Sequence, residues 1–140
     1  MNQKVYFAGS ITGGRDDADL YRAIIRHIQK TDRVLTEHVG STALSAEGQT
    51  EYLPSEIYRQ DTAWLRESDL LIAECSCPSH GVGYELAYAE RIGVPCHIFF
   101  RKSRGHLSAM LSGDPYFHVY AYETEEDLFA QLDSILGRAS

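Results

Sequence analysis

Short apolar runs alternate with amphipathic segments along the whole chain. Val5-Tyr6-Phe7-Ala8, stopping at Gly9, reads as a buried first strand. Asp16, Asp17 and Asp19 then precede Leu20, Ile24, Ile25 and Ile28, which places acids at the start of an apolar stripe and predicts a helix from about Asp17 to Lys30. Val34 to Glu37 is a second strand, and the small, polar stretch Gly40 to Glu51 is a loop of the kind that covers active sites. Pro54 and Ser55 open a helix carrying Ile57, Tyr58, Asp61, Trp64 and Leu65. Further strands are predicted at Asp69 to Ala73, Pro95 to Phe100 and Phe117 to Ala121, with helices at Leu107 to Leu111 and Thr124 to Leu136. Parallel strands need long, right-handed crossovers, so this order predicts an α/β fold with a doubly wound parallel sheet in the flavodoxin-like order 2-1-3-4-5. In that topology a ligand binds at the carboxyl ends of the first and third strands.

With 140 residues, 44% of them hydrophobic, residues 1–140 are expected to form one domain with its own core. No apolar run approaches the roughly 18 residues of a membrane span, and the start passes directly into a strand; a cytoplasmic or nuclear protein with no membrane partner is expected. The net charge of −7 argues against a nucleic-acid polymer as partner, while leaving room for a small nucleotide held by backbone amides. Cys75, Cys77 and Cys96 lack redox or zinc spacing and are expected to be buried thiols, and the six histidines form no i, i+4 pair; no metal or other cofactor is expected.

The two strand-end loops carry the chemistry. Gly9-Ser10-Ile11-Thr12-Gly13-Gly14-Arg15 offers hydroxyls, glycines and a cation to an anion, without the fingerprint of a triphosphatase or dinucleotide loop. Ser79-His80-Gly81-Val82-Gly83-Tyr84-Glu85 runs into a helix and is expected to deliver Glu85 at its first turn, where the helix dipole favours an ionised carboxylate. Asp69 falls at the opposite end of its strand, Glu74 ends that strand on a side alternation leaves open, and Asp61 lies mid-helix, a position equally suited to a solvated face. A pair of carboxyl groups at one pocket can split a glycosidic bond, one attacking the anomeric carbon while the other assists the leaving group. Glu85 suits the attacking role, and Tyr6 or His38 could orient it or contact a base.

Taken together, Tyr6 to Arg15, Leu35-Thr36-Glu37-His38-Val39, Gln60-Asp61 with Trp64-Leu65, Pro78 to Leu86 and Leu107-Ser108-Ala109-Met110 resemble, in order and spacing, the 2'-deoxynucleoside 5'-phosphate N-hydrolases. These are relatives of the nucleoside 2-deoxyribosyltransferases. The resemblance implies a homodimer that cleaves the N-glycosidic bond of a deoxynucleoside monophosphate, giving free base and 2-deoxyribose 5-phosphate. Glu85 would be the nucleophile that forms a covalent deoxyribosyl intermediate, Asp61 the second essential carboxylate and Tyr6 the tyrosine beside the nucleophile. Ser10, Ser79 and, from the neighbouring subunit, Ser108 match residues that hold the 5'-phosphate, and His38 lines the base side. The implied substrate pocket takes in Gly9, Ser10, Ile11, Thr12, Gly13, Gly14 and Arg15, then Tyr21 and His38. It is completed by Ser79, Gly81 and Gly83, and by Ser108, Ala109 and Met110. Thr12 stands where animal members often carry arginine, which weakens the expected grip on phosphate. A deoxyribosyltransferase and, from another class, an FMN-binding electron carrier are the competing readings.

Overall fold

The computed structural model describes residues 2–10, 15–36 and 53–138. Among these, β1 (Lys4–Gly9), α1 (Arg15–Gln29), β2 (Arg33–Val34), α2 (Pro54–Glu67) and β3 (Leu70–Glu74) make the first half. The second half holds α3 (His80–Ile92), β4 (Cys96–Arg101), α4 (Ala109–Ser112), β5 (His118–Tyr122) and α5 (Glu125–Ile135), with a short 3-10 turn at Lys102–Arg104. The five strands pair in parallel in the order β2-β1-β3-β4-β5, as the alternation of elements predicts.

Strand alternation divides the core between the two faces of this sheet. Val5, Phe7, Leu70 and Ile72 point to one side, where Tyr21, Ile24 and Ile28 of α1 and Leu128 and Leu132 of α5 bury them. Tyr6, Ala8, Leu71 and Ala73 point to the other, packing against Leu65 of α2 and Val82, Leu86 and Ala89 of α3. Removing each of these large side chains from water stabilises the fold by about 1.5–3 kcal/mol. The amino-terminal pole is tied by two carboxylates: Asp69 Oδ2 accepts from the Lys4 amide at 2.8 Å and Asp32 Oδ2 from the Gln3 amide at 3.1 Å. Asp69 thus lies at the pole opposite the ligand end, as its position before β3 predicts.

Most boundaries shift by a residue or two, and one shift has a clear cause. The second strand was expected over Val34 to Glu37 but spans only Arg33–Val34. Beyond it, the Leu35 amide still donates to the Val5 carbonyl at 2.9 Å, but at Phe7 a side chain takes over from the ladder. Thr36 Oγ1 accepts from the Phe7 amide at 2.8 Å and donates to the Phe7 carbonyl at 2.7 Å. The expected Gly40 to Glu51 loop, with Glu37 and His38 before it, lies outside the described residues.

Of the three cysteines, Cys96 is buried as expected, whereas Cys75 and Cys77 are only half-buried because they line a cleft beside α3. Among the described residues no helix is long and apolar enough to cross a membrane.

Candidate active site

Helix α3 fixes the first component. Ser79 is its N-cap, with Oγ accepting from the Val82 amide at 3.2 Å, so the helix starts at His80, before the two glycines rather than after them. Glu85 is therefore the sixth helical residue and lies in the second turn, which corrects the expectation that it sits in the first. The dipole effect fades beyond the first turn, so burial decides its charge instead. The Glu85 carboxyl is pushed up to about 7 by burial, opposed by a hydrogen bond from Tyr6 and reinforced by the nearby charge of Asp61. The expectation of a dipole-stabilised, permanently ionised carboxylate is thus also corrected: Glu85 is poised near neutrality.

Tyr6 reaches this carboxylate from β1, its phenol donating to Glu85 Oε2. Burial first, then the negative charges of Glu85 and Asp61, hold the phenol protonated far above its ordinary range, so it serves as a fixed donor. Asp61 comes from α2. It is half-buried rather than on a solvated face, and burial raises its carboxyl to about 6.

The two carboxylates share a cavity of about 320 Å³ lined by Gly9 at the end of β1, Ser79 and Gly81 at the start of α3, Ile57, Tyr58 and Thr62 of α2 and Tyr84 of α3. Gly9 has to be a glycine, because an added Cβ would lie 2.7–3.0 Å from the ring of Tyr21. Tyr21 itself is buried in the core on the opposite face of the sheet, and its hydroxyl accepts from the Ser10 amide at 3.1 Å. The structure thus sets Tyr21 against Gly9 and Ser10 as a support. Ser10 is buried beside it.

A larger cleft of about 540 Å³ adjoins this cavity and shares Ser79 and Val82 with it. Gly83, Ser108 and Met110 line this second space, and Ala109 opens α4 next to them. The larger volume lacks both Glu85 and Asp61, which lie together in the smaller cavity. Ser108 is exposed, and its Oγ caps α4 by accepting from the Met110 amide at 3.3 Å. Arg15 is the first residue of α1; Ile11, Thr12, Gly13, Gly14 and His38 lie outside the described residues.

Glu74, whose side the sequence leaves open, turns away from the cavity. It is buried on the α1 and α5 face, accepting from the Tyr122 hydroxyl at 2.5 Å and the Ser76 hydroxyl at 2.6 Å. Cys75 follows it in the wall of the larger cleft; burial, with the charges of Glu74 and Glu85, pushes its thiol up to about 12 and leaves it unreactive near neutrality. Ile57, Tyr58 and Tyr84 are among the pocket residues that sequence reasoning missed, together with Thr62, Leu65 and Val82. The only signal of the first three is spacing, since Ile57 and Tyr58 precede Asp61 by one helical turn and Tyr84 adjoins Glu85.

Comparison with known proteins places the chain in a family. A 5-hydroxymethyl-dUMP N-hydrolase of Mus musculus is 42% identical over 127 residues, covering 87% of this chain and 73% of its own. One of Tetraodon nigroviridis is 46% identical over 112 residues, covering 79% of each. A solved CMP N-glycosidase of Clostridium botulinum shares the fold, with a TM-score of 0.67 at 18% identity over 94% of this chain and 99% of that one. The sequence profile of the nucleoside 2-deoxyribosyltransferase family matches residues 5–132, a span that contains Tyr6, Asp61, Ser79 and Glu85, and the chain belongs to that family.

Proposed function

We propose that this chain, acting over residues 1–140 as one catalytic domain, is an N-glycosidase that hydrolyses 2'-deoxynucleoside 5'-monophosphates to free base and 2-deoxyribose 5-phosphate. The observation that carries the reading is the convergence of Glu85 and Asp61 in one cavity with Gly9 and Ser79, Glu85 being held from the core by the buried Tyr6 phenol. The names of the relatives, 5-hydroxymethyl-dUMP N-hydrolase and 2'-deoxynucleoside 5'-phosphate N-hydrolase, support the same chemistry.

In the proposed mechanism an oxygen of ionised Glu85 bonds to C1' of the sugar as the C1'–N bond breaks, and the base departs with the bonding electrons. Asp61, protonated, gives its proton to the departing base. Water then attacks C1', Glu85 leaves with the electrons of the ester-like bond, and the proton of water passes to Asp61, restoring both groups. Tyr6 holds one oxygen of Glu85 so that the other faces the sugar. The two carboxyls, raised to about 7 and about 6, share one proton near neutrality as a coupled pair; Glu85, with the higher of the two, holds it more often, so the reacting form, with Glu85 ionised and Asp61 protonated, is the minor arrangement of that proton. The phosphate is held by Ser10, Ser79 and the amides around Gly9 and Gly81, with Thr12, Gly13, Gly14 and Arg15 completing the loop and His38 on the base side.

The same reading carries a homodimer in which Ser108 of one subunit reaches the phosphate end of its partner's site. A cytoplasmic or nuclear location goes with a nucleotide substrate. An FMN carrier would leave the Tyr6, Glu85 and Asp61 cluster without a role.

A panel of deoxy- and ribonucleoside monophosphates, including 5-hydroxymethyl-dUMP, tests the reading by release of free base. Absence of 2-deoxyribose 5-phosphate from every deoxynucleotide would sink it. Incubating dGMP with an acceptor base distinguishes the transferase, for which a new nucleotide would form in preference to the sugar phosphate. Mixing a Glu85→Gln variant with a Ser108→Ala variant restores activity if the sites are shared; no recovery between exchanging subunits would remove the shared serine.

A further inference from the structure

We propose that Tyr58 and Tyr84 form the nucleobase platform of this pocket, an aromatic rim on which a planar base stacks while Asp61 and Glu85 act on its glycosidic bond. The inference rests on the hydrolase reading above and names the residues that would receive the part of the substrate it leaves least defined.

Both tyrosines line the cavity that holds the two carboxylates. Tyr58 precedes Asp61 by three residues on α2, so the two share a helix face, and Tyr84 directly precedes Glu85 on α3. Their rings meet edge to face, with centroids 6.3 Å apart and planes at 67°, linking the two helices. Yet they remain 52% and 55% exposed, among the few large apolar side chains of the described residues left in water. Rings crossed at this angle cannot sandwich a third ring between them, so a base would stack on the exposed part of one of them.

The reaction places the base there. Glu85 attacks C1' from one side, so the base leaves from the other, and the atom that receives the proton must lie within reach of Asp61. The phosphate end is assigned above to Gly9, Ser79 and Gly81, which line the same cavity. That leaves the aromatic rim beside Asp61 for the base. Stacking needs only a π-face, so such a platform accepts different bases and leaves selection to the sugar and phosphate.

The row of rings continues to Tyr88, 6.4 Å from Tyr84, whose hydroxyl accepts from Arg66 at 2.8 Å. A role confined to helix packing or to subunit contact is therefore the competing account. The test uses Tyr58→Ala, Tyr84→Ala and Tyr58→Phe, measuring KM for deoxynucleoside monophosphates, inhibition by 2-deoxyribose 5-phosphate and native mass by light scattering. That product keeps the sugar and phosphate but lacks the base. Each alanine variant is expected to raise KM about tenfold, the usual scale for a lost base stack, with inhibition by 2-deoxyribose 5-phosphate and native mass unchanged. Tyr58→Phe, which keeps the ring, retains the wild-type KM. Parallel weakening of both ligands, an altered mass or an unchanged KM in both alanine variants would overturn the platform. If the wild-type protein cleaves no deoxynucleoside monophosphate, the hydrolase reading fails by itself; calorimetric binding of dGMP against 2-deoxyribose 5-phosphate to the same variants then still decides the platform.

Discussion

Tyr6 and Glu85, 79 positions apart in sequence, are joined by a hydrogen bond from the phenol of β1 to the carboxylate of α3. This bond is the main influence opposing the upward pull of burial on Glu85. Tyr6→Phe removes it, so the Glu85 carboxyl moves above about 7; because Asp61, at about 6, is the first to lose its proton, the maximum of kcat/KM falls and the descending limb of its pH profile shifts toward higher pH. A limb that stays in place, measured across the neutral range, would contradict the arrangement.

Glu85→Gln separates function from stability. Removing the nucleophile should cost at least about a thousandfold in turnover. The folded value of about 7 lies above the ordinary 4.5, so the stability linked to this group is full below 4.5 and is lost as pH rises through 7. Glutamine carries no charge to desolvate, so the variant should be more stable than wild type at about pH 8.5, by on the order of 1–3 kcal/mol, and equal to it near pH 4. Denaturant melts at the two pH values check the sign.

Asp61→Asn removes the group assigned to the leaving base. Its carboxyl is raised to about 6, so the protonated form needed for donation is lost as pH rises through that value. The variant should lose the descending limb of the pH profile and about 10²–10⁴ in rate. The loss should be smallest for bases that depart readily as anions. A steady-state profile over several bases gives the answer.

Gly9→Ala tests the support that Tyr21 gives Gly9 and Ser10. Its Cβ would press on the Tyr21 ring at 2.7–3.0 Å, a rigid neighbour fixed in the core, and should cost about 1–3 kcal/mol of stability. Because the Tyr21 hydroxyl also holds the Ser10 amide, KM should rise as well. Equilibrium unfolding with a parallel KM measurement would show both effects or refute the coupling.

Strand order was readable because apolar runs such as Val5 to Ala8 and Leu70 to Ala73 have only one way to be buried on both faces. The length of β2 was not, since the decisive group is the Thr36 side chain, which substitutes for backbone pairing at Phe7. At the site, Glu85, Asp61 and Ser79 could be named from their motifs, but the glycines at 81 and 83 read as loop. The Ser79 cap carries the helix straight through them and moves Glu85 into the second turn. Its raised carboxyl also escaped the sequence, because burial depends on packing between α2, α3 and β1. Tyr58 and Tyr84 carry no periodic signal, being exposed on helices whose apolar stripes point elsewhere.

The cap at Ser79 also makes α3 a ruler. In the proposed reaction Ser79 meets the phosphate and Glu85 the sugar carbon, with one uninterrupted helix between them. Six residues at the helical rise amount to about 9 Å, a spacing set by backbone pitch rather than by the flexibility of a loop. A substrate is thereby gauged by its length from phosphate to C1': a nucleoside falls short of one mark, and a chain of two phosphates overshoots it.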